Sequence, residues 1–409
     1  MGVQVERIGR DIEIINSFNA TPGRGITRFT FSEPYMQARA YVGDELRKAG
    51  ARVSTTLGGN LRGRLAGSTQ DLPSVMTGSH IDSVLHGGRF DGVAGVVAAL
   101  EAARVMAEQQ IPHRHPVDVI VFAEEEGSRF GSVMIGSRAW IGRLAPDDLQ
   151  RLKDKDGTSF AAAMANAGLV PDDTKPLKPG MAKAMIELHI EQSLVLERKG
   201  IPIGVVEGIN GIKQFGVTLT GVANHAGATP MGLRQDALQG AARVIAAVEE
   251  IAVGDKEGNT VATVGMLTCE PGQANVIPGR VQFTLDIRDL DSDRIDQASR
   301  RIMSAVETTC RARDLAFDIQ PRSDTPPVRL SGRVLQLIEA AAGEKGIKTL
   351  RMASGALHDS SILPEVTEVG MIFVPSKGGR SHCPEEETSL SEIRTGTELL
   401  LDTVARLAS

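Results

Sequence analysis

The sequence predicts an α/β protein built on a central mixed sheet and interrupted once by a smaller α+β unit. Three observations carry this. Between Ser74 and Glu126 two apolar strands follow one another, each leading into a helix. From Gly211 the order of elements changes to βαββαβ, and after Pro326-Pro327 the α/β rhythm returns. Candidate metal-seeking side chains lie on both sides of the interruption, so the flanking stretches are expected to form one domain.

Ile8, Ile12 and Ile15 recur at helical spacing, and Ser32-Glu33-Pro34 starts a second helix that reaches Lys48 and stops at Ala49-Gly50. Residues 52–57, a Gly58-Gly59-Asn60 turn and 61–65 read as a hairpin. Residues 73–79 form an apolar strand that delivers His80, and Asp91-Gly92 opens an Ala- and Val-rich helix over 93–109. A further apolar strand, 116–123, runs into Glu124-Glu125-Glu126. Residues 144–179 mix short helical pieces with Asp, Lys, Gly and Pro and are expected to be a surface excursion. Residues 184–190 are another strand, with His189 near its end as His80 stands at the end of the first. In the interruption, strands are expected at 212–220, 260–268, 280–289 and 315–321, and helices at 235–251 and 292–313. That order is the split βαβ arrangement of ferredoxin-like domains. A helix at 332–344, a strand at 367–374 followed by His382, and a helix at 390–407 complete the chain.

Composition narrows the function. A net charge of -6 and a pI near 5.8 offer no basic field for nucleic acid or an anionic membrane. No apolar run reaches the ~18 residues that a membrane span needs, and no secretory leader is visible, so the cytoplasm is the expected compartment. Cys269, Cys310 and Cys383 are scattered and odd in number, which argues against a disulfide framework and a Cys-only zinc site.

The chemistry therefore falls to His and carboxylate. Open α/β sheets place ligands at the carboxyl ends of their strands, where His80, the Glu run, His189 and His382 all lie. Asp82 is close enough in sequence for its carboxylate to hold the other ring nitrogen of His80. Taken alone, Asp91 reads as a helix N-cap, Arg288 as the partner of Asp286 or Asp289, and His358-Asp359 as a helix start or a supporting contact. Histidine and carboxylate together suit borderline divalent metals such as zinc. Five such ligands suit two metals ~3.5–4 Å apart that share a bridging carboxylate and water, leaving a further carboxylate as general base.

His80-x-Asp82, Gly88-Arg89-Phe90-Asp91-Gly92, Glu125-Glu126-Gly127-Ser128-Arg129-Phe130, Glu187-Leu188-His189-Ile190-Glu191-Gln192 and Ser381-His382 follow in this order along the chain. In this the sequence resembles the M20 family of di-metal amidohydrolases, and within it the hydantoinase/carbamoylase branch. The resemblance implies a di-zinc exopeptidase-like catalytic domain, 1–211 and 329–409, with an inserted ferredoxin-like lid and dimerisation domain, 212–328. It implies two divalent ions per subunit, zinc first and manganese, cobalt or nickel as alternatives. His80, Asp91, Glu126, His189 and His382 would be the ligands, with Asp91 as the bridge and Glu125 as the base. His225 would stabilise an oxyanion, while Gln192, Asn275, Arg288 and Gly379 would bind substrate. The implied substrates are small ureido compounds with a carboxylate, N-carbamoyl-L-amino acids before allantoate or N-carbamoyl-β-alanine, and the implied assembly is a homodimer. Ser193 and Leu357 depart from the residues usual in the family, which bears on side-chain preference. Rival expectations are a thiolate hydrolase using Cys383, a peptidase of the same family, and a silent binding protein.

Overall fold

The computed structural model describes residues 2–69, 71–172, 175–254 and 260–409. The expected excursion at 144–179 and the interruption at 212–328 each include positions outside that set. The chain divides into two compact units, Met1–Glu207 with Leu330–Ser409, and Gly208–Arg329.

In chain order the first stretch holds α1 (Val5–Ser17), α2 (Glu33–Lys48), β1 (Arg52–Thr55), β2 (Leu61–Leu65), β3 (Ser74–His80), α3 (Val93–Glu108) and β4 (Val117–Phe122). It continues through α4 (Ile135–Trp140), α5 (Pro146–Arg151), α6 (Phe160–Asn166), β5 (Ala182–Ile190), α7 (Val195–Lys199) and β6 (Ile203–Ile209). Next come β7 (Gly211–Thr220), β8 (Asn224–His225), α8 (Ala237–Val253), β9 (Val261–Thr263), β10 (Leu267–Glu270), β11 (Val276–Ile277), β12 (Arg280–Asp289), α9 (Ser292–Ala312), β13 (Ala316–Thr325) and β14 (Val328–Arg329). The return holds α10 (Gly332–Glu344), β15 (Thr349–Ser354), β16 (Glu368–Val374) and α11 (Leu390–Ala408).

The sheet of the first unit runs β1-β2-β4-β3-β5-β16-β6, with β15 also paired to β6. Its centre is parallel, β4 with β3, β3 with β5 and β5 with β16, and its flanks are antiparallel. Parallel strands need helices on their faces, so these strands read as continuous apolar runs rather than alternating ones. Every residue of β3 and β4 is buried, and so is α3 from Val93 to Met106. Four parallel strands ending at one edge bring together residues that are remote in sequence.

In the second unit the order is β10-β12-β7-β13, all antiparallel, with β9 also on β12. Helices α8 and α9 close one face, packing Val244 and Ile302 against Val217, Leu219, Phe283 and Leu285.

Three expectations need correcting. The stretch 144–179 is not wholly a surface excursion: Phe160 is fully buried, and its ring meets Phe31 and Phe130 edge-on at 5.0 and 5.1 Å. One aromatic at the head of a short Ala-rich run gave no periodic signal, yet it anchors α6. The strand expected over 260–268 is broken into β9 and β10 around Gly265, where no side chain favours extended pairing. Strands β6 and β15 also went unread, because short mixed runs carry little periodicity.

Candidate metal centre

Strand β3 ends on His80, and β5 carries His189 to its penultimate position. Both imidazoles are buried, each 1% exposed. His80 Nδ1 donates to the Asp82 backbone carbonyl at 3.1 Å, and His189 Nδ1 to that of Ile190 at 3.0 Å. Those bonds leave Nε2 as the free nitrogen of each ring, and His189 Nε2 accepts the Gly92 N–H at 3.3 Å. Both Nε2 atoms face one oxygen of Asp91, at 3.5 Å from His80 and 3.2 Å from His189. A lone pair facing a carboxylate is repulsive unless a proton or a cation lies between them.

The other oxygen of Asp91 faces His382 Nε2 at 3.1 Å, which in turn lies 3.5 Å from Glu126. Two donor groups result, His80-Asp91-His189 and Asp91-Glu126-His382, each with its ligand atoms within 4.8 Å of one another. Asp91 belongs to both. It does not cap α3, whose N-cap is Gly92. That glycine has a φ of +65°, and a Cβ there would meet the His80 ring at 2.5 Å. The turn must therefore be glycine for the imidazole to reach the carboxylate.

Burial raises Glu125 well above the usual carboxylate range, opposed by His80 and reinforced by Glu126. Its carboxylate is 3.8 Å from His80 Nε2. Glu126 is pushed up to about 7 by burial and by Asp91. Asp91 is drawn well below the usual range, because bonds from His189, His382 and His80 outweigh its burial. His382 is raised to about 9, chiefly by its bond to Asp91. Groups that compete for protons at such close quarters are also the groups that a divalent cation would bring together. Imidazole nitrogen and carboxylate oxygen in this ratio fit a borderline divalent metal, and the residues present fit two.

One residue, Asp82, differs from its expected contact, and Gln192 and Arg288 have partners within the protein. The Asp82 carboxylate stands 3.7 Å from His80 Nδ1, so the tautomer is fixed by the backbone carbonyl, while Asp82 Oδ2 accepts the Glu126 N–H at 3.1 Å. Its effect is to hold the start of the Glu126 loop. Gln192, expected on the substrate, donates to Asp91 Oδ2 at 2.8 Å, and its carbonyl oxygen is buried without a partner. Arg288 Nε and Nη2 reach the two oxygens of Asp286 at 2.7 and 3.1 Å, the local pair that its own strand makes available. Gly379 has a φ of +63° and packs against Ser193 and Leu194.

His225 is exposed on β8, with Nδ1 accepting the Gly227 and Ala228 N–H groups at 3.0 and 3.1 Å, so Nε2 is its outward atom. The Asn275 carbonyl accepts the Ala226 N–H at 2.9 Å, which places Asn275 beside that turn. Both belong to the second unit. Sequence reasoning missed Glu386, whose carboxylate lies under the Asp91 turn. The signal was there, an acidic run directly after His382-Cys383-Pro384 that parallels the run after β4.

Glu124, Gln192 and His382 adopt φ values of +57°, +61° and +56°. Non-glycine residues held there cost on the order of 1–3 kcal/mol each, and such strain gathers at functional sites.

Residues 73–406 match the family described as peptidase family M20/M25/M40. An N-carbamoyl-L-amino-acid amidohydrolase of Paenarthrobacter aurescens is 42% identical over 400 residues, spanning 97% of this chain and 97% of that one. An allantoate amidohydrolase of Escherichia coli is 35% identical over 397 residues, spanning 96% of each. A crystal structure of an amidase of the hydantoinase/carbamoylase family from Burkholderia multivorans superposes with a TM-score of 0.96 at 33% identity, covering 100% of this chain and 98% of that one. With donor groups at strand ends, a shared aspartate and full-length likeness in agreement, the chain belongs to the M20/M25/M40 peptidase family, in its hydantoinase/carbamoylase branch.

Proposed function

We propose that the protein is a metal-dependent amidohydrolase that cleaves the carbamoyl C–N bond of N-carbamoyl-L-amino acids, giving the amino acid, ammonia and carbon dioxide. The observation that carries this is Asp91, whose two oxygens face two separate His-containing donor groups. His80, Asp91 and His189 would hold one divalent cation, and Asp91, Glu126 and His382 the other, with zinc the first expectation. Such a pair supplies Lewis acidity and a water of lowered pKa.

The chain's own groups do the rest. Glu125, buried beside His80, takes the proton of the attacking water and returns it to the departing nitrogen. His225 Nε2 donates to the oxyanion, a role in which one fixed donor contributes ~3 kcal/mol. Arg288 binds the substrate carboxylate in bidentate fashion, taking over from Asp286, and Asn275 assists. Gln192 and Gly379 bind the carbamoyl group. The antiparallel second unit, whose strand order fits a ferredoxin-like fold, serves as lid and as the surface of a homodimer, and the protein works in the cytoplasm.

A second reading, allantoate hydrolysis, is favoured by the Escherichia coli relative; N-carbamoyl-β-alanine is a third ureido acid of the same chemistry. Ammonia release from N-carbamoyl-L- and D-amino acids, N-carbamoyl-β-alanine and allantoate, after dialysis and metal add-back, decides. Turnover of allantoate alone would overturn the first reading, and turnover of a dipeptide alone would return the protein to the peptidases. A Cys383→Ser variant that keeps its metal and loses activity would favour the thiolate route.

A further inference from the structure

The carboxylate of Glu386 has no part in the chemistry above, yet Glu386 is only 3% exposed. Its partners are donors from one remote turn and from its own loop. One oxygen accepts the backbone N–H groups of Phe90 and Asp91 at 2.8 and 3.0 Å, and the other accepts the Ser381 hydroxyl at 2.7 Å. Ser381 Oγ also lies 3.1 Å from Asp91 Oδ2, but a hydroxyl has one proton to give and the shorter contact takes it. The neighbouring glycine of the Gly87-Gly88-Arg89-Phe90-Asp91 turn is shaped to this carboxylate: a Cβ at Gly88 would lie 2.1 Å from the Glu386 carboxyl carbon.

We propose that Glu386 is a positioning residue that ties the turn carrying Asp91 to the loop carrying His382, and so sets the second cation site. His382 needs such a restraint. It is 51% exposed at its side chain, sits at positive φ, and follows a short irregular loop rather than ending a strand. Its neighbour Ser381 lies against Asp91, and Glu386 bonds both to Ser381 and to the backbone of the Asp91 turn. Carboxylates that orient ligands in this way are worth on the order of 10–100-fold in metal affinity. The inference rests on reading Asp91, Glu126 and His382 as a cation site.

Zinc titration of the full-length protein against a chelating indicator tests it, alongside thermal melting of the metal-free protein. Glu386→Ala is expected to weaken the weaker of two zinc sites by about 10–100-fold. Glu386→Gln, whose carbonyl oxygen still accepts the Phe90 and Asp91 N–H groups, is expected to recover most of that affinity. Ser381→Ala is expected to weaken the same site, and the Glu386→Ala/Ser381→Ala double variant to be no worse than Glu386→Ala alone, because both break one link. Should Glu386→Ala fail to fold without metal, the Glu386→Gln and Ser381→Ala pair decides. Wild-type zinc affinity in Glu386→Ala, an equal loss in Glu386→Gln and Glu386→Ala, or an unaffected Ser381→Ala would each overturn the positioning role. A wild-type protein that takes up fewer than two zinc ions would overturn the site reading instead.

Discussion

Asp91 is the residue on which the site turns, because one of its oxygens faces His80 and His189, the other faces His382, and neither is committed to capping α3. Glu125 lies 3.8 Å from His80 Nε2 but belongs to neither donor group, which suits it to move a proton. Glu125→Gln is therefore expected to lower kcat by ~10²–10⁴-fold. Zinc content by elemental analysis should stay at the wild-type level. A Gln variant that lost metal as well as activity would make Glu125 a ligand instead. At this scale the ligand types could be read in the sequence, since His80, Glu126 and His189 sit where apolar strands stop. Their partners could not. Gln192 bonds to Asp91, and Glu386 supports it from far along the chain, because hydrogen bonds across loops leave no periodic trace.

At the scale of elements, the turn between β3 and α3 is a tightly specified piece. Gly92 combines positive φ with a 2.5 Å approach to His80, so Gly92→Ala must displace either the imidazole or the start of the helix. That variant is expected to lose tight metal binding and melt at lower temperature, which calorimetry with and without zinc would show. The junction of β12 and α9 is a second such piece. Asp289 is fully buried, accepts from Arg294 and Thr260, and has its pKa drawn down by those bonds against the effect of burial. A carboxylate whose folded pKa is lowered stabilises the fold fully above its unfolded value, ~3.9, and loses that contribution as pH falls through the folded value. Asp289→Asn is expected to cost about 1.5–3 kcal/mol near neutrality. In urea unfolding the difference from wild type should shrink below pH 4; a constant difference would exclude the ion pair as its source. Elements with steady apolar pattern, such as β3, β4 and α3, were readable from sequence, whereas α6 and the broken β9–β10 edge were not, since one anchoring Phe and one Gly outweigh no pattern.

For the whole molecule, the proposed activity predicts a dependence on divalent metal and on Arg288. Dialysis against a chelator is expected to abolish ureido hydrolysis and zinc or manganese add-back to restore it, with far-UV circular dichroism unchanged, because the unit's apolar core does not rely on the ions. Arg288→Met is expected to raise KM by roughly 10–100-fold for carboxylate-bearing substrates, the loss of about 1.5–3 kcal/mol of charged hydrogen bonding, with a smaller effect on kcat. An unchanged KM would assign Arg288 a structural role, as in its pair with Asp286, rather than a substrate-binding one. The amino-acid order by itself determined the strands, their helices and the residue types at strand ends, because burial selects apolar runs and runs have boundaries. The tertiary structure decided which ends meet. Only the parallel register of β4, β3, β5 and β16 brings residues hundreds of positions apart to one edge, and only the packed loops fix which carboxylate oxygen faces which imidazole.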